Sequence, residues 1–556
     1  MESAYSTSAE ESKTDGQTAR ADSPVRRSSF AGVLARVGTG TLIGAVYYLT
    51  VHPGVSSGDS AEIQYASATL GVCHSPGYQI EVHFGKLFSL LPVGNVAWRV
   101  NLMMLVFGLI GCLSLYDALE RITGRILPAV VGATTLAFSS IYWSHAIVAE
   151  AYVFYGAFLL IGLWAAVRFV FSDKAAWLYV MAVALGICVW DRSSELFVLP
   201  AFLLLWLGFR KRVRLGLPRV AAAVALFLVP LVFTATSYMI RQEASRLPMR
   251  DDALRDQILG RPRGDPRFAS LGEAPRALCY CLALGWADRG LPPARAWADL
   301  KRYAWLLSGL GAVSEYMPLA DRQEMIERGR GTSIGFVGIL LVLWGSFLWR
   351  RNRGWVVLGW GLFLGNLAFC LWNSRWDSLT FTVPGLAGLA LLAGLGASWP
   401  QETGPPSRRR VVGKLACLIA PVFLLATNYS LLNRATGDEY ARLALSDRMA
   451  ATPLPESCAI LCRYWTATRL RYVFHVQAGR SDIHVFNIGE QEELLAVFEY
   501  CRQQGWEVFI PRHCFRGTPE AAIAASRTPA AMLDFGLVQA TQASGVIRWE
   551  GDLWAY

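Results

Sequence analysis

Two carboxylates three positions apart, Asp59 and Glu62 in the run Ser57-Gly58-Asp59-Ser60-Ala61-Glu62, are followed by His74-Ser75-Pro76-Gly77-Tyr78. A carboxylate held at the edge of an apolar medium loses hydration, so its basicity rises and it can take a proton from an attacking hydroxyl. The same spacing fits a capping box, in which Asp59 accepts a backbone N–H at a helix start and Glu62 reaches back. Both readings can hold together, because a helix start also fixes where a carboxylate points. His74 has the simpler fate of bonding within its own turn. His74 and His83 lack a third nearby ligand at a zinc-like spacing, so no metal ligands are assigned.

The elements that must hold these groups are apolar. Of 556 residues, 54% are hydrophobic and 17% charged, a polytopic membrane composition. The net charge of +10 does not point to nucleic acid, because the basic residues sit in short loops between apolar runs. Residues 1–29 lack an apolar core and read as a disordered cytoplasmic tail. Apolar runs near 30–50, 98–119, 126–141, 148–170, 176–190, 194–209, 219–240, 333–349, 355–372, 379–397 and 412–432 give about eleven spans. The first reads as an anchor, not a removable signal. With Arg26, Arg27 and Arg36 inside, Arg121, Arg125, Arg168, Lys174, Arg210-Lys211-Arg212, Arg350, Arg351, Arg353 and Arg408-Arg409-Arg410 all fall on the same side.

The first loop (51–97), a long loop (241–331) and the C-terminal region (433–556) then lie outside, around membrane modules 30–240 and 332–432. Within the first loop, Ile80 to Leu91 is an amphipathic segment suited to the interface plane. In the C-terminal region, strand-like runs at 459–462, 483–486 and 507–510 alternate with helical stretches at 468–478, 490–504 and 519–535, a small α/β domain without a glycine-rich phosphate loop. The eleven cysteines show no ligand-spaced quartet. Cys458, Cys462, Cys501 and Cys514 could pair in an oxidising compartment, but buried free thiols are the stronger reading.

The run GDSAEIQYASATLGVCHSPGYQIEVHFGKLFSLLPVGNVAWRVNLM resembles a family of bacterial multispan proteins whose animal relatives are protein O-mannosyltransferases. Their pattern is Gly-Asp-Ser-Gly-Glu, an amphipathic helix, Leu-Gly-Val-x-His-Pro-Pro-Gly-Tyr-Pro and Arg-x-Asn-Leu. Tyr142-Trp143-Ser144-His145 through Ala149-Glu150-Ala151-Tyr152 is similar to the family's Trp-Ser-Gln-x-x-x-Ala-Glu-Val-Tyr, and weaker likenesses fall at Arg375 and around Leu461 to Asn487. Departures are Ala61 for Gly, Ser75 and Gln79 for prolines, Glu81 for an apolar residue, and Trp190-Asp191-Arg192 where Asn-His is frequent.

The resemblance implies the GT-C glycosyltransferase architecture and a sugar donor carried on polyprenyl phosphate. It makes Asp59 the candidate base and Glu62 its partner, with His74 and Tyr78 lining the same loop. A donor phosphate at headgroup depth needs cationic or hydrogen-bonding partners, for which Arg99, His145, Arg192 and Arg375 stand near outer span ends; each could equally be an interfacial anchor. Glu150, costly to bury alone, needs a partner in the bundle.

The expectation is an α-helical polytopic membrane protein of GT-C type with a small C-terminal extracytoplasmic α/β domain, placed in a bacterial inner membrane. It would transfer a sugar, mannose the first candidate, from polyprenyl phosphate to a protein Ser/Thr hydroxyl, with a glycan or lipid as the alternative acceptor. Membrane lipids are its other partners, nucleic acid is not, and a divalent cation stays open as cofactor. A lipid-linked sugar transporter or flippase would show mid-depth charges and repeat symmetry. An inert scaffold is the third reading.

Overall fold

In lipid every backbone polar group must be satisfied within the chain, so apolar runs of span length become helices. The computed structural model describes residues 30–74, 77–213, 215–244, 248–260, 332–373, 381–398, 408–451, 453–489, 491–511 and 537–539. Each of the apolar runs named above falls mainly on helix among the described residues. Six are long and apolar enough to cross a bilayer: α1 (Phe30–Thr50), α4 (Val96–Thr123), α7 (Ala151–Ser172), the Leu217–Ser237 part of α10 (Leu217–Ala244), Arg353–Leu371 and Val411–Leu432. Ala175–Trp190, Ser194–Phe209, Gly335–Phe347 and Val383–Gly396 are shorter, while α5 (Ile126–Ala137) and α6 (Ser140–Ala146) form a pair bent by 70°. Length alone therefore supports six or seven full crossings among the described residues, fewer than the eleven apolar runs, because a short run crosses only with help from its flanks.

The bend between α5 and α6 frees backbone groups in the bundle interior, and a polar strut takes them up. Asn428 Nδ2 donates to Phe138 O and Thr332 O at 2.8 Å each, its Oδ1 accepts from Thr332 N at 2.9 Å, and Ser140 N donates to Thr332 O at 3.2 Å. Elsewhere the bundle closes by small residues. α4 packs on α7, α7 on α8 (Ala175–Asp191), and α8 on α10. At Gly186 a Cβ would sit 2.5 Å from Phe227 O, so only glycine lets those two backbones meet.

The bundle has two chemically distinct ends. At one, Arg36 pairs with Asp117 at 2.8 Å and Glu120 at 2.6 Å, and Arg168 pairs with Asp117 at 2.9 Å. At the other, α2 (Gly58–Thr69) and α3 (Gln79–Ser89) fill the first loop, between the end of α1 and the start of α4. α4 opens on Asn95, whose side chain accepts from Trp98 N at 2.8 Å.

The C-terminal region begins with the helix Gly437–Ala450 and builds a four-stranded sheet of β1 (Ala459–Cys462), β2 (His484–Asn487), β3 (Val508–Pro511) and β4 (Leu537–Gln539) in the order β2-β1-β3-β4. β1 pairs parallel with β2, Ala459 opposite His484, and with β3, Ala459 opposite Val508; β4 is antiparallel to β3. The helix Tyr464–Arg471 runs on into a π-helical turn, Tyr472–Gln477, and a further helix, Gln491–Gln503, precedes β3. The helical stretch expected at 519–535 lies outside the described residues. Cys458, Cys462 and Cys501 are buried thiols outside any disulfide. α11 (Pro248–Ile258), from the segment after α10, docks on this sheet: buried Asp251 accepts from His484 Nδ1 and Val485 N at 3.0 Å each, and Asp252 pairs with Arg471 at 2.8 Å.

Candidate active site

α2 starts on a glycine for a physical reason. Gly58 has φ +60°, and a Cβ there would collide with the Trp465 ring that lies over it. The preceding Ser57 is extended and makes no side-chain cap bond. The capping box expected from Asp59 and Glu62 is not formed: Ser57 holds the N-cap position, which places Asp59 inside the first turn. Glu62, one turn on along the same helix face, turns to His74. Glu62 Oε1 accepts from the His74 backbone N–H at 2.9 Å, and Oε2 lies 2.5 Å from His74 Nδ1. His74 Nε2 stands 3.9 Å from Asp59 Oδ2.

A fourth group arrives from the far end of the chain. The Tyr464 hydroxyl lies 2.9 Å from Asp59 Oδ1, 3.1 Å from Glu62 Oε2 and 3.5 Å from His74 Nδ1. The side chains of Asp59 and His74 remain 38% and 40% exposed, so the cluster still faces outward. Crowding by protein would lower the His74 pKa, but the Glu62 and Asp59 carboxylates and the hydrogen bond to Glu62 outweigh it and hold it up at about 9. Burial, reinforced by the two carboxylates, pushes the Tyr464 phenol well above its ordinary range. At neutral pH the His74 imidazolium and the neutral Tyr464 phenol both lie against Asp59 and Glu62.

One ligand atom each from Asp59, Glu62 and His74 lie within 4.8 Å of one another, close enough to hold a cation. Sequence spacing between His74 and His83 missed this trio, because Glu62 supplies the contact. His83 instead bonds Gln79 O at 2.7 Å and packs edge-on to Phe233. A divalent cation would have to displace the His74 proton.

Behind the cluster, Tyr78 adopts a left-handed φ of 47° and packs edge-on to His74, ring centroids 5.4 Å apart. Arg192 is buried in an aromatic cage, its guanidinium 4.2 Å from the Tyr152 ring centre, 5.0 Å from Tyr155 and 4.1 Å from Phe381, with Nε donating to Ser194 Oγ at 3.2 Å. Its charge reaches His74 and Tyr78, opposing protonation of the first and favouring ionisation of the second. His145 packs against the other ring neighbour, Tyr152, at 4.5 Å.

Glu150 accepts from Ser60 Oγ at 2.8 Å, tying the first turn of α2 to the start of α7. Arg99 is used structurally: its guanidinium donates to Ser89 O and Val93 O at 2.6 Å and to Gly94 O at 2.8 Å, closing the turn ahead of α4. Arg375 lies outside the described residues. Asn101, the Asn of the Arg-x-Asn-Leu pattern, is the hub of the loop: Oδ1 accepts from Gln64 Nε2 and Ala149 N, and Nδ2 donates to His52 O and Gly54 O.

The helical membrane bundle with its appended α/β domain has a fold of GT-C type, by its likeness to a solved neighbour. Among solved structures it is similar to ArnT from Cupriavidus metallidurans bound to undecaprenyl phosphate, with a TM-score of 0.51 at 12% identity, covering 93% of this chain and 100% of that one. Residues 59–215 match the family model described as Protein O-mannosyl-transferase TMEM260 N-terminal domain. The chain is similar to mouse Protein O-mannosyl-transferase TMEM260, 28% identical over 239 residues, which is 41% of this chain and 33% of that protein. It is also similar to the Dictyostelium discoideum Protein O-mannosyl-transferase tmem260, 26% identical over 184 residues, 30% of this chain and 22% of that protein. The matches thus span a third or less of the length of these curated relatives. The chain is a multi-pass membrane protein that is similar to protein O-mannosyl-transferases over part of its length. The matched segment opens on Asp59 and includes Arg192, but stops far short of Tyr464.

Proposed function

We propose that the chain is a membrane glycosyltransferase that moves a sugar, mannose by analogy with its relatives' names, from a polyprenyl-phosphate carrier to a Ser or Thr hydroxyl of a protein on the extracytoplasmic face. The observation that carries this reading is the placement of Asp59: partly exposed to solvent, at the end of the bundle opposite the Arg36–Asp117–Arg168 cluster, with Glu62, His74 and Tyr464 arrayed on it. The basic loops favour the Arg36 end as cytoplasmic. The bound lipid named for the ArnT structure is consistent with a prenyl donor here.

The acceptor oxygen attacks the anomeric carbon, the bond from that carbon to the phosphate oxygen breaks, and polyprenyl phosphate leaves with the bonding electrons. Asp59 takes the proton that the acceptor loses. Glu62 keeps His74 oriented and protonated beside it, which limits repulsion between two carboxylates one turn apart. Arg192, whose charge already extends to His74 and Tyr78, is the cation that would meet the leaving phosphate.

The deciding experiment is Asp59→Asn in the purified protein with a labelled polyprenyl-phosphate mannose, following release of polyprenyl phosphate. Turnover falls by about a hundredfold or more while folding is unchanged; a variant that turns over at the normal rate removes Asp59 as the base.

A further inference from the structure

The C-terminal domain presents one particular edge to the cluster. In its sheet the central strand β1 is flanked by β2 on one side and β3 on the other, all parallel, so the chain reverses its winding direction at β1. In open sheets of this kind the crevice beyond the carboxyl end of that strand is where ligands sit. Here β1 ends at Cys462, Arg463 is extended, and the next residue is Tyr464. The domain therefore turns its ligand-binding edge toward Asp59.

Tyr464 also brings the right chemical group. It carries a hydroxyl into hydrogen-bond range of Asp59 and Glu62, at 2.9 and 3.1 Å, where the reaction above requires an alcohol to surrender its proton. The rest of the contact is fixed elsewhere: Tyr472 OH accepts from Ala97 N at 2.8 Å, and Tyr65 OH meets His475 Nδ1 at 3.2 Å. Neither contact uses Tyr464, so the phenol can leave the carboxylates without undocking the domain.

We propose that the Tyr464 hydroxyl occupies the acceptor-hydroxyl subsite, and that an incoming alcohol, led in along the carboxyl edge of β1, must displace it before transfer. The inference rests on the glycosyltransferase reading and deepens it. Between acceptors, Tyr464 occupies the Asp59 oxygen on which an attacking water would otherwise sit, which limits wasteful hydrolysis of the donor. The step itself is unchanged, with Asp59 taking the acceptor's proton once the phenol has swung aside.

The test uses the full-length purified protein with polyprenyl-phosphate mannose, and reads release of polyprenyl phosphate with water alone, with N-acetyl-threonine amide and with methyl α-mannoside. Tyr464→Phe keeps the ring and loses the hydroxyl. Its KM for the alcohol that serves as substrate falls about threefold to tenfold, and water-driven donor cleavage rises by a similar factor. The threonine arm points to a protein acceptor and the mannoside arm to a glycan. A fall in kcat with KM unchanged makes Tyr464 a positioning residue and overturns the proposal. Tyr464→Ala gives an independent check: added p-cresol inhibits it competitively with the alcohol and leaves the wild type unaffected, and absence of such inhibition also overturns it. Asp59→Asn, run alongside, separates the two failures, because normal turnover there defeats the underlying reaction and leaves nothing for Tyr464 to guard.

Discussion

The carboxylate of Asp59 and the hydroxyl of Tyr464 stand 2.9 Å apart although 405 positions separate them in the chain. The site is therefore composite. The membrane module contributes the carboxylates and the imidazole, and the C-terminal domain contributes the phenol that bridges them.

His74 makes the cluster sensitive to alkali. Its pKa, raised from 6.5 to about 9, means that its contribution to stability is complete below about pH 6.5 and is lost as pH rises through about 9. With the side chain 40% exposed, solvent screening limits that contribution to about 1 kcal/mol. Melting curves of wild type and His74→Gln between about pH 6 and pH 10 should converge at the alkaline end. A constant gap would mean that the imidazole is not charged at neutral pH.

Gly58 and Trp465 should be coupled. Gly58→Ala meets both a positive φ and the indole, and should cost about 2–4 kcal/mol. Trp465→Ala removes the collision but not the backbone strain, so in that background Gly58→Ala should cost only about 1–2 kcal/mol. Strict additivity in thermal melts would show that the indole does not lie over the glycine.

Tyr472 holds the domain to the start of α4, where Ala97 N is one of the helix's orphan donors. Tyr472→Phe leaves that buried donor unpaired at a cost of about 1–3 kcal/mol. Limited proteolysis should then release fragments of the 437–511 region faster than from wild type, and an unchanged digestion pattern would assign the docking to other contacts.

Arg192→Lys keeps the charge and loses the flat guanidinium that fills the aromatic cage. KM for the polyprenyl-phosphate sugar should rise about tenfold with a smaller change in kcat. A fall in kcat alone would place Arg192 away from donor binding.

How much of this was visible in one dimension depends on what holds each part together. The apolar runs were readable because length and hydrophobicity decide a helix in lipid, and β1 was located to the residue from Ala459-Ile460-Leu461-Cys462. β2 and β3 begin one residue later than read. Asp59, Glu62 and His74 stood out because they are polar beside an apolar span. Their pairing did not: the capping box was the local solution, and a tertiary contact from Glu62 to His74 won over it. Tyr464 was unreadable, since nothing in Arg463-Tyr464-Trp465 marks a residue that reaches across the molecule. The contacts of Arg99 were equally hidden, because a lone arginine at a span end gives no sign that three carbonyls already claim it.

The docking of α11 bears on how the outer part of the molecule can be handled. Arg471 and the β2 backbone find their carboxylate partners on a segment lying more than 200 positions upstream, Arg471 meeting Asp252 across 219 positions. A soluble fragment cut at 433 would carry a guanidinium, a histidine and a strand N–H stripped of those counterparts. The sheet is thus finished by chain that follows α10 much earlier, and crystallographers or immunologists wanting the sheet domain alone would do better to splice 248–258 onto it than to clone the tail by itself.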